Sequence, residues 1–156
     1  MLFWVFDLDH TLYQLNSRYF SYAYLKKNNK LKNLLTLLPC NKILFTNGTI
    51  GHAKQCLKIM DLNNSFHKVY ARNHFNNKLK PNIYVFKKFI SFNNIKIKDK
   101  IVFFEDSIEN LIVAKSFGWI TVLIGNCNKK LPEIDFYFLN INEALDFFIK
   151  KIMNNK

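Results

Sequence analysis

The apolar residues of this chain come in short unbroken runs rather than in alternation with polar ones. Leu2-Phe3-Trp4-Val5-Phe6, Ile43-Leu44-Phe45, Ile101-Val102-Phe103-Phe104 and Trp119 to Ile124 are runs of this kind. A strand with one wet face alternates, whereas a strand covered on both faces need not. These four segments therefore read as parallel strands in the middle of a layered fold. Between them the apolar spacing turns helical. Ile50 to Asp61 places Ala53, Leu57 and Met60 on one face, and Asn82 to Phe92 groups Val85, Phe86, Phe89 and Ile90. Pro81 is placed in the first turn of this second helix, where its missing N–H is harmless. Ser107 to Phe117 stops at Gly118, a residue suited to ending a helix. Asn142 to Lys151 is a last amphipathic helix, with Lys151 to Lys156 as a frayed tail. Strands alternating with helices predict a three-layer α/β sandwich around a central parallel sheet.

Tyr13 to Leu38 interrupts this rhythm between the first and second strands. It reads as two short helices, Tyr19 to Lys27 and Leu31 to Leu38, with a polar joint at Lys26-Lys27-Asn28-Asn29-Lys30. The 156 residues make a single domain with enough chain to bury a core. No apolar run is long enough for a membrane span, and Asp7 interrupts the first one. Met1 to Phe6 lacks the basic segment of a signal peptide. The three cysteines, Cys40, Cys56 and Cys127, match no zinc or redox spacing. Reduced thiols in a cytoplasmic setting are the expectation, with Cys56 in the core.

The formal charge of +12 raises the question of nucleic acid. The 23 basic residues, however, are Lys except for Arg18 and Arg72. Base-edge readout and bidentate phosphate clamps favour Arg. The joint excess of Lys, Asn and Ile is what AT-rich coding produces, and this is the favoured reading. A positive field would still draw in anionic substrates.

Of only eleven carboxylates, four stand in pairs at the ends of apolar runs: Asp7 with Asp9, and Glu105 with Asp106. In an open parallel sheet, ligands bind at the carboxyl ends of the strands. Four acids gathered there need a cation, and hard oxygen ligands suit Mg²⁺. The alternative is helix capping, which Asp106 or Ser107 could perform. It fits Asp7 and Asp9 less well, because two acids spaced by one residue face the same way along a continued strand.

Asp7-Leu8-Asp9-His10-Thr11-Leu12-Tyr13 resembles the first motif of the haloacid dehalogenase-like (HAD) phosphatases. Phe45-Thr46-Asn47-Gly48 resembles the second, Lys80-Pro81 the third, and Phe104-Glu105-Asp106-Ser107 the fourth. The resemblance covers nearly the whole chain and implies a Rossmann-like α/β fold. Thr46-Asn47-Gly48 with His52-Ala53-Lys54 and Leu57, and Asp106-Ser107 with Asn110-Leu111, Ala114-Lys115 and Gly118, look like the pyrimidine 5′-nucleotidase-like branch.

The resemblance implies a role for each residue. Asp7 is the nucleophile that forms an aspartyl-phosphate, and Asp9 the general acid and base. Thr46 and Asn47 hold phosphate oxygens, and Lys80 neutralises charge on Asp7 and the phosphoryl group. Asp106 ligates Mg²⁺ together with Asp7 and the Asp9 carbonyl, and Glu105 reaches it through water. Lys80 is otherwise one more surface lysine. Asn110 anchors the loop near the metal. His10, where relatives often have Asn, lines the entrance or packs in the turn, and His52, His67 and His74 are ordinary core or surface histidines.

Relatives in this branch carry a helical cap after the first motif, whereas only residues 13–38 are available here. They form a reduced lid or a connecting helix pair. Tyr13, Arg18, Tyr19, Tyr22 and Tyr24 are offered there for stacking or phosphate contact, or for packing the lid on the body, the favoured reading for Tyr22 and Tyr24. The expected substrate is a small phosphorylated molecule, a nucleoside monophosphate first. An open site leaves nucleic-acid ends or another macromolecule as the alternative, and an inactive binding domain as the remote one.

Overall fold

A computed structural model describes residues 1–15, 19–127 and 129–154. Its centre is a six-stranded sheet in which every pairing is parallel. The strands are β1 (Leu2–Phe6), β2 (Asn41–Phe45), β3 (Lys68–Tyr70), β4 (Lys100–Glu105), β5 (Ile120–Ile124) and β6 (Phe136–Phe138). Their spatial order is β3-β2-β1-β4-β5-β6. The chain starts in the middle, steps outward to β3, and returns to the other side of β1 with β4. Connections thus diverge from the β1–β4 pair, the switch point where a doubly wound sheet opens a crevice at its carboxyl edge. In register, Phe6 lies beside Leu44 and Phe104, so the residues that follow β1 and β4 emerge side by side.

The helices are α1 (Asn29–Leu37), α2 (Ile50–Ile59), α3 (Ile83–Phe92), α4 (Ile108–Ser116) and α5 (Ile141–Asn154). Alternate residues of the strands feed two separate cores. Trp4, Phe6, Leu44 and Phe104 face α1, α2 and α5, whereas Phe3, Val5, Phe45 and Phe103 face α3 and α4. Both faces being covered is why the strands need no polar alternation. Much of the chain's aromatic content is spent here: Phe6 stacks on Phe104 at 4.8 Å, and Phe45 on Phe89 at 4.4 Å. The buried Trp4 indole donates to the Pro39 carbonyl at 2.8 Å, which removes the penalty of hiding its N–H.

The four central strands and the helices α2 to α5 lie where the apolar pattern puts them, within a few residues. β3 and β6, three residues each, were not anticipated. The insert also departs from expectation. Leu31, Leu34 and Leu35 bury α1 in the core, in contact with α5. The expected helix from Tyr19 to Lys27 is instead one 3₁₀ turn at Tyr22–Tyr24, started by the Ser21 hydroxyl accepting from the Ala23 N–H at 3.2 Å. Nothing in that turn is buried, so no apolar face sustains a longer helix. Pro81 stands outside α3, because the Asn82 side chain caps the Tyr84 N–H at 2.9 Å and the helix begins at Ile83. α5 runs on to Asn154 instead of fraying at Lys151, since Ile152 still packs against the core. Among the described residues no helix is long and apolar enough to cross a membrane.

Candidate active site

At the carboxyl edge of β1, Asp7 leaves the strand with its N–H on the Phe104 carbonyl at 2.9 Å. The chain then turns at once: Leu8 is fully buried, the Leu12 N–H returns to the Leu8 carbonyl, and His10 takes a left-handed φ of 60°. The strand therefore does not continue through Asp9, and the two acids are separated by a turn rather than aligned on a strand face. Both still border one cavity of about 370 Å³, with Asn47, Lys80, Glu105 and Asp106. His10 is exposed and lines its edge.

Lys80 is no surface lysine. Its side chain is fully buried, and Nζ donates to Asp7 Oδ1 at 2.9 Å, Glu105 Oε2 at 2.7 Å and the Phe45 carbonyl at 2.7 Å. The Phe45 and Phe103 rings flank the ammonium at 4.8 and 5.1 Å. Burial by itself would lower the lysine pKa, but the Asp7 and Glu105 carboxylates outweigh it and hold the pKa above its ordinary value. Asn47 places the residue: its Oδ1 accepts the Lys80 N–H at 2.8 Å and its Nδ2 donates to the Lys80 carbonyl at 3.0 Å. The Asn47 side chain is thus committed to the third motif, so any phosphate contact by Asn47 would fall to its backbone N–H. Thr46 is buried, with its hydroxyl accepting the Gly48 N–H at 3.0 Å.

Glu105 is saturated by protein donors. Oε1 accepts from the Asp106 and Ser107 N–H groups, and Oε2 from Lys80 and from Asn110 Nδ2 at 2.9 Å. Asn110 thereby anchors the loop that carries Asp106. Asp7, Glu105 and Asp106 bring carboxylate oxygens within 4.8 Å of one another. Burial, and then the Glu105 charge, push Asp7 up to about 8. Burial and Glu105 likewise push Asp106 up to about 7. The Thr11 hydroxyl lies between Asp7 and Asp106, at 3.4 and 3.5 Å. With all three carboxylates ionised, as metal binding requires, one ammonium leaves a deficit of two positive charges. Oxygen donors with that deficit fit a hard divalent cation, which Asp7 and Asp106 would hold directly.

Asp9 has partners that sequence reasoning missed. Its Oδ1 accepts from the Tyr13 hydroxyl and lies 2.7 Å from His52 Nε2. Burial and the Asp9 carboxylate raise the Tyr13 pKa, so the phenol stays a donor. His52 Nδ1 in turn lies 2.9 Å from the Tyr22 hydroxyl. His52 was readable in principle. It sits in the first turn of the helix leaving the second motif, capped by Thr49, and that turn must hang over the end of β1. A Cβ on Gly48 would come within 2.9 Å of His52 Cδ2, so glycine permits this approach. His67 accepts the Lys42 N–H, and His74 accepts the Ala71 N–H. Of the insert aromatics, Tyr13, Phe20 and Tyr22 gather around His52, with Phe20 5.0 Å from its ring. Tyr22 contacts the body through His52 of α2, whereas Tyr24 stands more than half exposed. Tyr19 is also exposed, and Arg18 lies outside the described residues. Cys56 is buried behind the site, and burial and then Asp9 raise its thiol to about 11, which leaves it an inert core residue.

Among solved structures the chain resembles L-2-haloacid dehalogenase from Xanthobacter autotrophicus with chloropropionic acid covalently bound. That likeness has a TM-score of 0.64 and 13% identity over 81% of this chain and 62% of that one. An HAD phosphatase from Thermococcus onnurineus gives a TM-score of 0.62 and 21% identity, over 78% of this chain and 57% of the other. The HAD-hydrolase YfnB from Bacillus subtilis, bound to magnesium, gives 0.64 and 15%, over 78% and 55%. These identities speak for the fold alone, and this chain spans about three fifths of those chains or less. No curated protein matches the sequence. Residues 40–124, more than half of the chain and including the second, third and fourth motifs, match the model of the haloacid dehalogenase-like hydrolases. The chain belongs to that family.

Proposed function

We propose that this protein is a Mg²⁺-dependent phosphatase that hydrolyses a phosphate monoester through an aspartyl-phosphate on Asp7. The relatives include dehalogenases as well as a phosphatase, and chemistry favours the second. A halide leaves without a proton, and a haloacid brings one negative charge. An alkoxide leaving from phosphorus needs an acid, and a phosphate dianion needs cations. The observation that carries the reading is the pairing of Asp9, free of the carboxylate cluster, with a cluster that has a two-charge cation deficit.

In the first step the Asp7 oxygen not bonded to Lys80 attacks phosphorus. The ester P–O bond breaks, and Asp9 passes its proton to the departing oxygen. In the second step Asp9 takes a proton from water, the water oxygen bonds to phosphorus, and Asp7 is released. Tyr13 and His52 hold one Asp9 oxygen and so aim the other. Thr46 and the Asn47 N–H bind phosphoryl oxygens, and Lys80 offsets charge on Asp7 throughout. Bound Mg²⁺ supplies the charge that lets an anionic nucleophile approach an anionic ester. Glu105 acts by orienting Lys80 and the Asp106 loop.

A nucleoside monophosphate or similar small phosphorylated metabolite suits the exposed rings of Phe20 and Tyr22 at the mouth. The insert of about residues 13–38 makes a reduced lid on a single catalytic domain, exposed at Phe20, Tyr22 and Tyr24 and held to the core through Leu25 and α1. The second reading, nucleic-acid ends, rests on the +12 charge. Purified protein should release phosphate from nucleotides with Mg²⁺, but not with a chelator or as Asp7→Asn. Release indistinguishable from that variant on nucleotides, sugar phosphates and phosphate-terminated oligonucleotides alike would remove the phosphatase reading. Preference for oligonucleotides that fades with salt would favour the second.

A further inference from the structure

Beside the carboxylate cavity lies another of about 480 Å³, lined by Asp9, Asn47, Gly48, Thr49, His52 and Arg72. Asp9 and Asn47 belong to both. An ester with phosphorus at Asp7 and its bridging oxygen at Asp9 therefore has this second space open to its leaving group. Asp9 there is already engaged by Tyr13 and His52. Arg72 is not engaged. Its backbone is pinned, with the N–H on the Gly48 carbonyl at 3.1 Å and the carbonyl accepting the Asn77 N–H at 3.1 Å. Yet its side-chain Nε is buried with no hydrogen-bond partner, and no ion pair among the described residues includes it. A buried guanidinium N–H without an acceptor is costly, and a planar fork of donors matches an oxyanion better than any neutral group.

We propose that Arg72 is a specificity-determining residue that binds a second oxyanion, phosphate or carboxylate, carried on the leaving group of the substrate. The inference rests on the phosphatase reading for the direction of the leaving group, and on Arg72 itself for the chemistry. Two matched pairs of substrates test it: a nucleoside 5′-monophosphate against its 3′,5′-bisphosphate, and ethyl phosphate against 2-phosphoglycolate. Wild type should favour the two-anion member of at least one pair, which also tells phosphate from carboxylate. In Arg72→Gln that preference in kcat/KM should fall by about 10–100-fold, mainly through KM, with partial recovery in Arg72→Lys. An unchanged preference in Arg72→Gln, or none in wild type, would overturn the assignment. Calorimetric titration with methylenediphosphonate and phosphonoacetate reads the same site without turnover. Arg72→Gln should weaken at least one by about tenfold or more relative to methylphosphonate, and equal weakening of all three would count against the proposal. If wild type hydrolyses nothing, the phosphatase reading falls and the titrations alone decide Arg72.

Discussion

Three acceptors converge on the Lys80 ammonium, and two of them are buried carboxylates. Lys80→Met leaves Asp7 and Glu105 facing each other without a countercharge. Metal-free protein should lose about 3–5 kcal/mol in denaturant unfolding, the cost of breaking a buried ion pair. Adding Glu105→Gln to that variant should recover part of the loss, whereas a purely steric role for Lys80 predicts no recovery. At Asn47 the side chain joins two motifs through both backbone groups of Lys80. Asn47→Ala should lower stability by about 1–3 kcal/mol, as expected for two severed part-buried hydrogen bonds, and lower kcat through a misplaced Lys80. The motif residues were legible as a set because each lies at a strand end or before a helix. The pairing of His52 with Asp9 and the approach of Arg72 to its cavity were harder to read, because they join segments 43 and 63 positions apart in the chain.

At the scale of elements, α1 belongs to the body. Leu35 is fully buried on it, between the sheet and α5. Leu35→Ala should cost about 2–5 kcal/mol by denaturant midpoint while leaving KM for substrate unchanged, since no residue of α1 lines either cavity of the site. A KM that rises instead would make α1 part of the lid. The apolar pattern found the long elements because each has a stripe or a run to bury. It missed β3 and β6 because three residues, none of them fully buried, Lys68–Tyr70 or Phe136–Phe138, carry too little periodicity to read. It overran at Tyr19 to Lys27 because aromatic content resembles an apolar face, whereas Leu25 alone of that segment is buried in the core.

For the molecule as a whole, the carboxylate cluster links stability to pH and metal. Asp7 rises from an ordinary 3.8 to about 8 in the fold, so the folded state holds more protons than the unfolded chain between those values. Stability contributed by this group is complete at low pH and is lost as pH rises through about 8. Metal-free protein should therefore melt at progressively lower temperature from about pH 5 to about pH 9. Mg²⁺ should restore the melting temperature at the alkaline end and do little at the acid end, because binding requires ionised ligands. Asp7→Asn should make the metal-free profile shallower, leaving the part that Asp106 contributes. A wild-type profile already flat without metal would mean that Asp7 ionises freely. The amino-acid sequence by itself determined the layered parallel sheet and the order of the acidic strand ends, since periodicity and strand-terminal residues are local properties of the chain. Only the tertiary structure decided that Lys80 is buried between Asp7 and Glu105, that Glu105 is spent on protein donors, and that Arg72 stands unmatched beside Asp9. Those facts depend on which strand ends the β1–β4 switch point brings together, and no local pattern encodes that distance.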